Sequence, residues 1–141
     1  MHLINPELPL KTVIDTSVWV AACFHSRSQQ ILELWHAEKI IVCCTPPVLA
    51  EYRIVLHKIP PIRHKAQKIL QRLEEGKATL FFSNPPQVDV KIEDPEDLKF
   101  IACAVGAEAS FLVSLDDHLL KIQSYDKVEI LKPVEFLQRI R

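Results

Sequence analysis

The stretch KTVIDTSVWV, residues 11–20, decides how the rest of the chain reads. Residues 11–15 suit a buried strand, and the pattern from Ser17 onward suits a helix. Asp15 stands at the junction, the last residue of the expected strand. A lone charge in apolar surroundings is costly, so this carboxylate has to cap a helix, pair or hold a cation. Capping by Asp15, or by Ser17 with Asp15 assisting the helix dipole, is the simpler alternative.

Outward from this point the same alternation recurs. KIIVCCT (39–45), ATLFFS (78–83), SFLVS (110–114) and KVEIL (127–131) read as further strands. Helices are predicted from Ser17 to about Glu38 with a break near HSRS, then over 46–59, 61–76, 96–107, 116–122 and 134–140. Thr45 is the expected N-cap of the second of these, with Pro46 or Pro47 in its first turn, and Gly76 closes the third. Residues 84–95 read mostly as loop. Five strands separated by helices predict an α/β fold with a mainly parallel sheet covered on both faces and joined by right-handed crossovers.

A length of 141 residues favours a single domain over 1–141. Lys plus Arg number 17 and Asp plus Glu 18, which excludes an all-over cationic coat but leaves room for a local basic patch. Two glycines cannot build a Gly-rich phosphate loop, so P-loop and dinucleotide-binding readings fall away. Cys23, Cys43, Cys44 and Cys103 have no zinc spacing and are expected as buried free thiols. The opening MHLINPELPL lacks the basic start and apolar core of a signal peptide, and no apolar run approaches the ~18 residues of a membrane span. A cytoplasmic protein without membrane contact is the expectation.

In a doubly wound sheet the functional edge lies at the carboxyl ends of the strands. Asp15 and Asp116 fall there if strands one and four are neighbours. Glu51 lies three residues after Val48 and four before Val55, on the core-facing stripe of its helix. Asp97 lies in the first turn of the helix after KIEDP. Each has a plain alternative. Asp97 can sit at N3 behind an Asp94 N-cap, Asp116 or Asp117 can cap the DHLL helix, and Glu51 can pair with Arg53 or Lys58. The coincidence of four acids at one edge is the informative part. Without cations they would repel one another, and hard oxygen donors without Cys or His select Mg²⁺ or Mn²⁺. Phosphoryl chemistry is the use such a site suits.

These motifs resemble the PIN-domain ribonucleases, the family of VapC-type toxins, over nearly the whole chain. VIDTSVWVAA is similar to the opening strand with its metal-binding Asp, PPVLAEYRIVL to the helix bearing the family's Glu, and EDPEDLKFIACAVGAEASFLVSLDDHLL to the C-terminal block. The resemblance implies a three-layer α/β/α domain with strand order 3-2-1-4-5. It places the catalytic and metal-binding acids at Asp15, Glu51, Asp97 and Asp116, with Ser17 and Ser114 as supporting polar residues. It implies Mg²⁺- or Mn²⁺-dependent hydrolysis of RNA leaving a 5′-phosphate and a 3′-hydroxyl, and as partners an antitoxin protein and a second copy in a homodimer. The chain departs from the family in having Leu115 for a common Gly, and Asp117 and His118 for a Lys-Asp pair. Asp116 is favoured over Asp117 because it directly follows VSL, and His118 reads as a surface or capping residue, with contact to a metal-bound water or phosphate as the alternative.

From Tyr52 to Leu73 there is no acid, while Arg53, Lys58, Arg63, Lys65, Lys68 and Arg72 are all basic. Lys65, Lys68 and Arg72 share a helix face. Arg63, Lys65, Lys68 and Arg72 are therefore the candidate RNA contacts, against the alternatives of a solvated face or a contact for an acidic partner peptide. Trp19, Trp35 and Phe24 are expected in the core or an interface. The alternative function is a PIN scaffold that binds RNA or protein with little or no catalysis. A haloacid-dehalogenase-type phosphatase would need Asp-x-Asp where this chain has Asp15-Thr16-Ser17, and a receiver domain would need differently placed acids.

Overall fold

The computed structural model describes residues 9–24 and 26–140. The opening stretch 1–8 and His25 of the HSRS break lie outside the described residues. The chain runs β1 (Leu10–Ile14), α1 (Thr16–Ala22), α2 (Gln29–His36), β2 (Ile40–Cys44), α3 (Pro46–His57), α4 (Arg63–Glu75), β3 (Thr79–Phe81), α5 (Leu98–Ala107), β4 (Phe111–Val113), α6 (Asp117–Leu120), β5 (Ser124–Tyr125), β6 (Val128–Leu131) and α7 (Pro133–Arg139). Short 3-10 turns at Pro60–Ile62 and Pro95–Asp97 lead into α4 and α5.

The sheet order is β3-β2-β1-β4-β6-β5, parallel except for β5. The first five strands of that order reproduce the expected 3-2-1-4-5, with Val128–Leu131 as the last. Among the described residues the sheet has six strands, correcting the expected five. Ser124 and Tyr125 fold back on Val128 and Glu129 as a small antiparallel strand. Gln123 and Asp126, flanking this strand, adopt positive φ of 66° and 55°, a conformation that glutamine does not announce.

Thr12, Val13 and Ile14 are all buried, so both faces of β1 are covered. Helix α5 lies against β1, β2 and β4, while α2 and α7 touch each other and contact β2 and β4. An aromatic row links Trp35, Trp19, Tyr52 and Phe100 from α2, α1, α3 and α5, with successive ring centroids 5.2, 6.0 and 6.4 Å apart. Trp19 and Trp35 are thus core residues, whereas Phe24 is exposed. All four cysteines are buried and free. No helix among the described residues is long and apolar enough to cross a membrane.

Local differences from expectation have local causes. The expected helix 17–38 is two helices, with a gap of non-helical residues wider than HSRS. Asp15 follows β1 as the N-cap of α1 rather than ending the strand. Thr45 occupies the N-cap of α3, but its side chain caps nothing. Pro46 and Pro47 at N1 and N2 have no N–H, which leaves Val48 at N3 as the one donor such a cap could use. Gly76, at φ 76°, closes α4 as a left-handed cap. A Cβ on Gly106 would stand 2.8 Å from both Phe82 and Pro86, so only glycine lets the 82–86 segment lie this close to α5.

Candidate metal centre

Parallel pairing of Ile14 with Val113 brings the ends of β1 and β4 together. The Asp15 amide donates to the Val113 carbonyl at 2.9 Å, fixing the junction. The Asp15 side chain does not cap α1. Its Oδ2 accepts from the hydroxyls of Ser17 and Ser114, each at 2.7 Å. Both serines work twice. Ser114 Oγ accepts from the Asp116 amide at 2.9 Å, and Ser17 Oγ accepts from the Leu115 amide at 3.2 Å. The two hydroxyls thereby lock the loop after β4 onto Asp15. Burial pushes the Asp15 carboxyl up, the two hydroxyls pull it down, and the charges of Glu51 and Asp116 push it up again, for a net rise.

Glu51 is half-buried on α3 and is held at both oxygens. Thr16 Oγ1 donates to Oε2, and Lys99 Nζ stands 2.9 Å from Oε1. Lys99 also reaches Glu96 at 3.3 Å. Its burial alone would lower the ammonium pKa, but the hydrogen bonds and charges of Glu51 and Glu96 outweigh that and raise it. The partner of Glu51 is therefore Lys99, and neither Arg53, which pairs with Glu74, nor Lys58. The neighbouring Tyr52 hydroxyl donates to the Ile14 carbonyl and ties α3 to the end of β1.

Asp97 ends the 3-10 turn before α5. Asp94 does the capping there, accepting from the Glu96 amide at 3.0 Å, so Asp97 is spared that role. Asp97 is 9% exposed, and its Oδ2 is buried without a hydrogen-bond partner. Burial foremost, then the Asp116 carboxylate and the charges of Asp15 and Asp94, push its carboxyl up to about 7. Asp116 caps α6 through Oδ1, accepting from the His118 amide at 2.9 Å. One side-chain donor atom from each of Asp97, Asp116 and His118 lies within 4.8 Å of the other two. Asp117 is exposed and stands outside this group.

The structure thus gathers Asp97 and Asp116 most tightly, with Asp15 coupled to both by charge and Glu51 beside Asp15. Thr16, Glu93, Lys99 and His118 complete the surroundings. Thr16 lies inside the opening motif, but Lys99 is 48 positions from Glu51 and nothing local marks the pair.

Arg72, one of the cations expected on the basic face of α4, is engaged elsewhere. Arg72 donates to the Trp35 carbonyl at 2.9 Å, and its guanidinium lies 5.0 Å from the centre of the Trp35 ring. Trp35 in turn donates to the carbonyl of Ala78, just before β3, so Arg72 sits at the amino-terminal edge of the sheet. The charge of Lys65 bears on Cys23, at the end of α1 farthest from Asp15. Arg63, Lys65 and Lys68 are exposed. Among the described residues, Lys99 is the lysine that pairs with one of these acids, Glu51.

A family model described as PIN domain matches residues 11–118, a span that begins in β1 and ends at His118. Comparison with curated proteins finds no match.

Proposed function

Since the chain belongs to the PIN-domain family, whose members are generally nucleases, we propose that it is a metal-dependent endoribonuclease hydrolysing RNA phosphodiester bonds, with Asp15, Glu51, Asp97 and Asp116 binding Mg²⁺ or Mn²⁺. The observation that carries this reading is Asp97 Oδ2, a buried carboxylate oxygen with no partner in a group that already holds Asp116. Such an arrangement is unfavourable for the protein alone, and a divalent cation relieves it.

The donor set fits a hard divalent ion, being carboxylate oxygens with one imidazole beside them. A bound ion would supply Lewis acidity and charge neutralisation to a phosphodiester under attack by water. The chain's own residues prepare the place. Ser17 and Ser114 share one oxygen of Asp15 and hold its carboxylate in a fixed orientation. Thr16 and Lys99 do the same for Glu51. Lys99 adds a positive charge at the rim, where an RNA phosphate would approach.

The same reading extends to the toxin of a toxin–antitoxin pair, acting in the cytoplasm as a homodimer with the antitoxin covering this crevice. Arg63, Lys65 and Lys68 are the exposed cations of α4 left for RNA contact. A second reading, a PIN scaffold that binds without cutting, has one observation in its favour: Glu51 is already neutralised by Lys99. RNA cleavage by the purified protein with Mg²⁺ or Mn²⁺ separates the two. Activity abolished by EDTA and by Asp15→Asn supports the nuclease, whereas intact RNA at saturating metal leaves the scaffold.

A further inference from the structure

The His118 ring is oriented from outside the acidic group. Its Nε2 lies 2.9 Å from a Glu93 carboxylate oxygen, and the other Glu93 oxygen is 3.3 Å from Lys121 Nζ. In the neutral ring this places the N–H on Nε2 and the lone pair on Nδ1. Nδ1 faces the acids, 3.8 Å from Asp116 Oδ1. Metal-binding histidines are set up in this way, with one nitrogen donating to a carboxylate and the other free to ligate. A second observation points to the same place independently. Asp97 is more than nine-tenths buried, and its Oδ2 has no hydrogen-bond partner.

We propose that His118, through Nδ1, joins Asp97 and Asp116 in a mixed nitrogen–oxygen cation site, oriented by Glu93, that selects Mn²⁺ over Mg²⁺. This rests on the metal-dependent reading above and narrows it. Mg²⁺ binds carboxylates and water and gains little from an imidazole, whereas Mn²⁺ and the later divalent metals accept nitrogen readily. The competing role for His118 is an imidazolium bridging Glu93 and Asp116, which would oppose a cation rather than hold one.

The test uses the full chain stripped of metal with EDTA, titrated with MnCl₂ and MgCl₂ by calorimetry, and pulsed electron paramagnetic resonance of the Mn²⁺ complex. The expected result is at least about tenfold tighter Mn²⁺ binding than Mg²⁺ binding, with a nitrogen coupling in the Mn²⁺ spectrum. His118→Ala removes the coupling and weakens Mn²⁺ about tenfold while moving Mg²⁺ by about twofold or less, and Glu93→Gln weakens Mn²⁺ by about tenfold through misorientation of the ring. A Mn²⁺ complex without nitrogen coupling, or equal losses for the two ions in His118→Ala, overturns the His118 assignment and leaves the nuclease reading standing. Failure of wild type to bind either ion at millimolar concentration overturns both.

Discussion

Replacing Asp97 with asparagine should stabilise the metal-free protein at alkaline pH. Asparagine keeps the shape of the side chain and removes a buried negative charge. The Asp97 carboxyl rises from its ordinary 3.8 to about 7. A raised carboxyl means that the folded state holds its proton more tightly than the unfolded chain does. The stability tied to that proton is fully present below the unfolded value near 4 and is lost as pH climbs through about 7. Between pH 5 and pH 8 the wild type should lose about 2–3 kcal/mol from this group, at about 1.4 kcal/mol per pH unit over the window. For a chain of this size that is roughly 5–10 °C in Tm. Thermal unfolding in EDTA at pH 5 and pH 8, for wild type and Asp97→Asn, reads the difference directly. The variant should show a flatter pH dependence and the higher Tm of the two at pH 8. Saturating Mn²⁺ should reverse the order at pH 8, because the cation restores only the wild type. A variant that melts below wild type at pH 8 in EDTA, or that keeps the same pH slope, refutes the claim that Asp97 is a strained, unpartnered acid.

Other perturbations separate the site from its scaffold. Ser114→Ala removes a buried hydroxyl that serves both Asp15 and the Asp116 amide, so RNA cleavage should fall at least tenfold with a stability loss of about 1–3 kcal/mol in urea unfolding. Arg72→Ala should cost about 1–3 kcal/mol in the same assay while RNA affinity, read by filter binding, stays unchanged, because its guanidinium serves Trp35. Gly106→Ala drives a methyl into Phe82 and Pro86 and should cost about 1–3 kcal/mol, measured by chemical denaturation. Lys99→Gln leaves Glu51 without its ion partner. Metal-free stability at pH 8 should drop, while calorimetric affinity for Mn²⁺ rises as the competing ammonium is removed.

Much of the fold was legible along the chain because a buried parallel strand and an amphipathic helix each leave a period in the sequence. The apolar runs gave the strands, Pro46 and Gly76 marked helix boundaries, and Asp15 and Asp116 fell just past the carboxyl ends of strands. The choice of Asp116 over Asp117 came from the family resemblance of the VSL segment. Two-residue β5, flanked by positive φ at Gln123 and Asp126, is too short to leave such a mark. The gap between α1 and α2 was visible only as a break of uncertain width.

What the sequence determined by itself is which residues face inward and which acids stand at strand ends, since both follow from periodicity within one element. Which side chains meet across elements was decided only by the tertiary structure. Ser114 reaches Asp15 across 99 positions, Lys99 rather than Arg53 or Lys58 neutralises Glu51, and Arg72 turns to the Trp35 carbonyl. Such pairings depend on the register of β1 against β4 and on how α3, α4 and α5 lie over the sheet. Those are distances through space, and no periodicity within a single element encodes them.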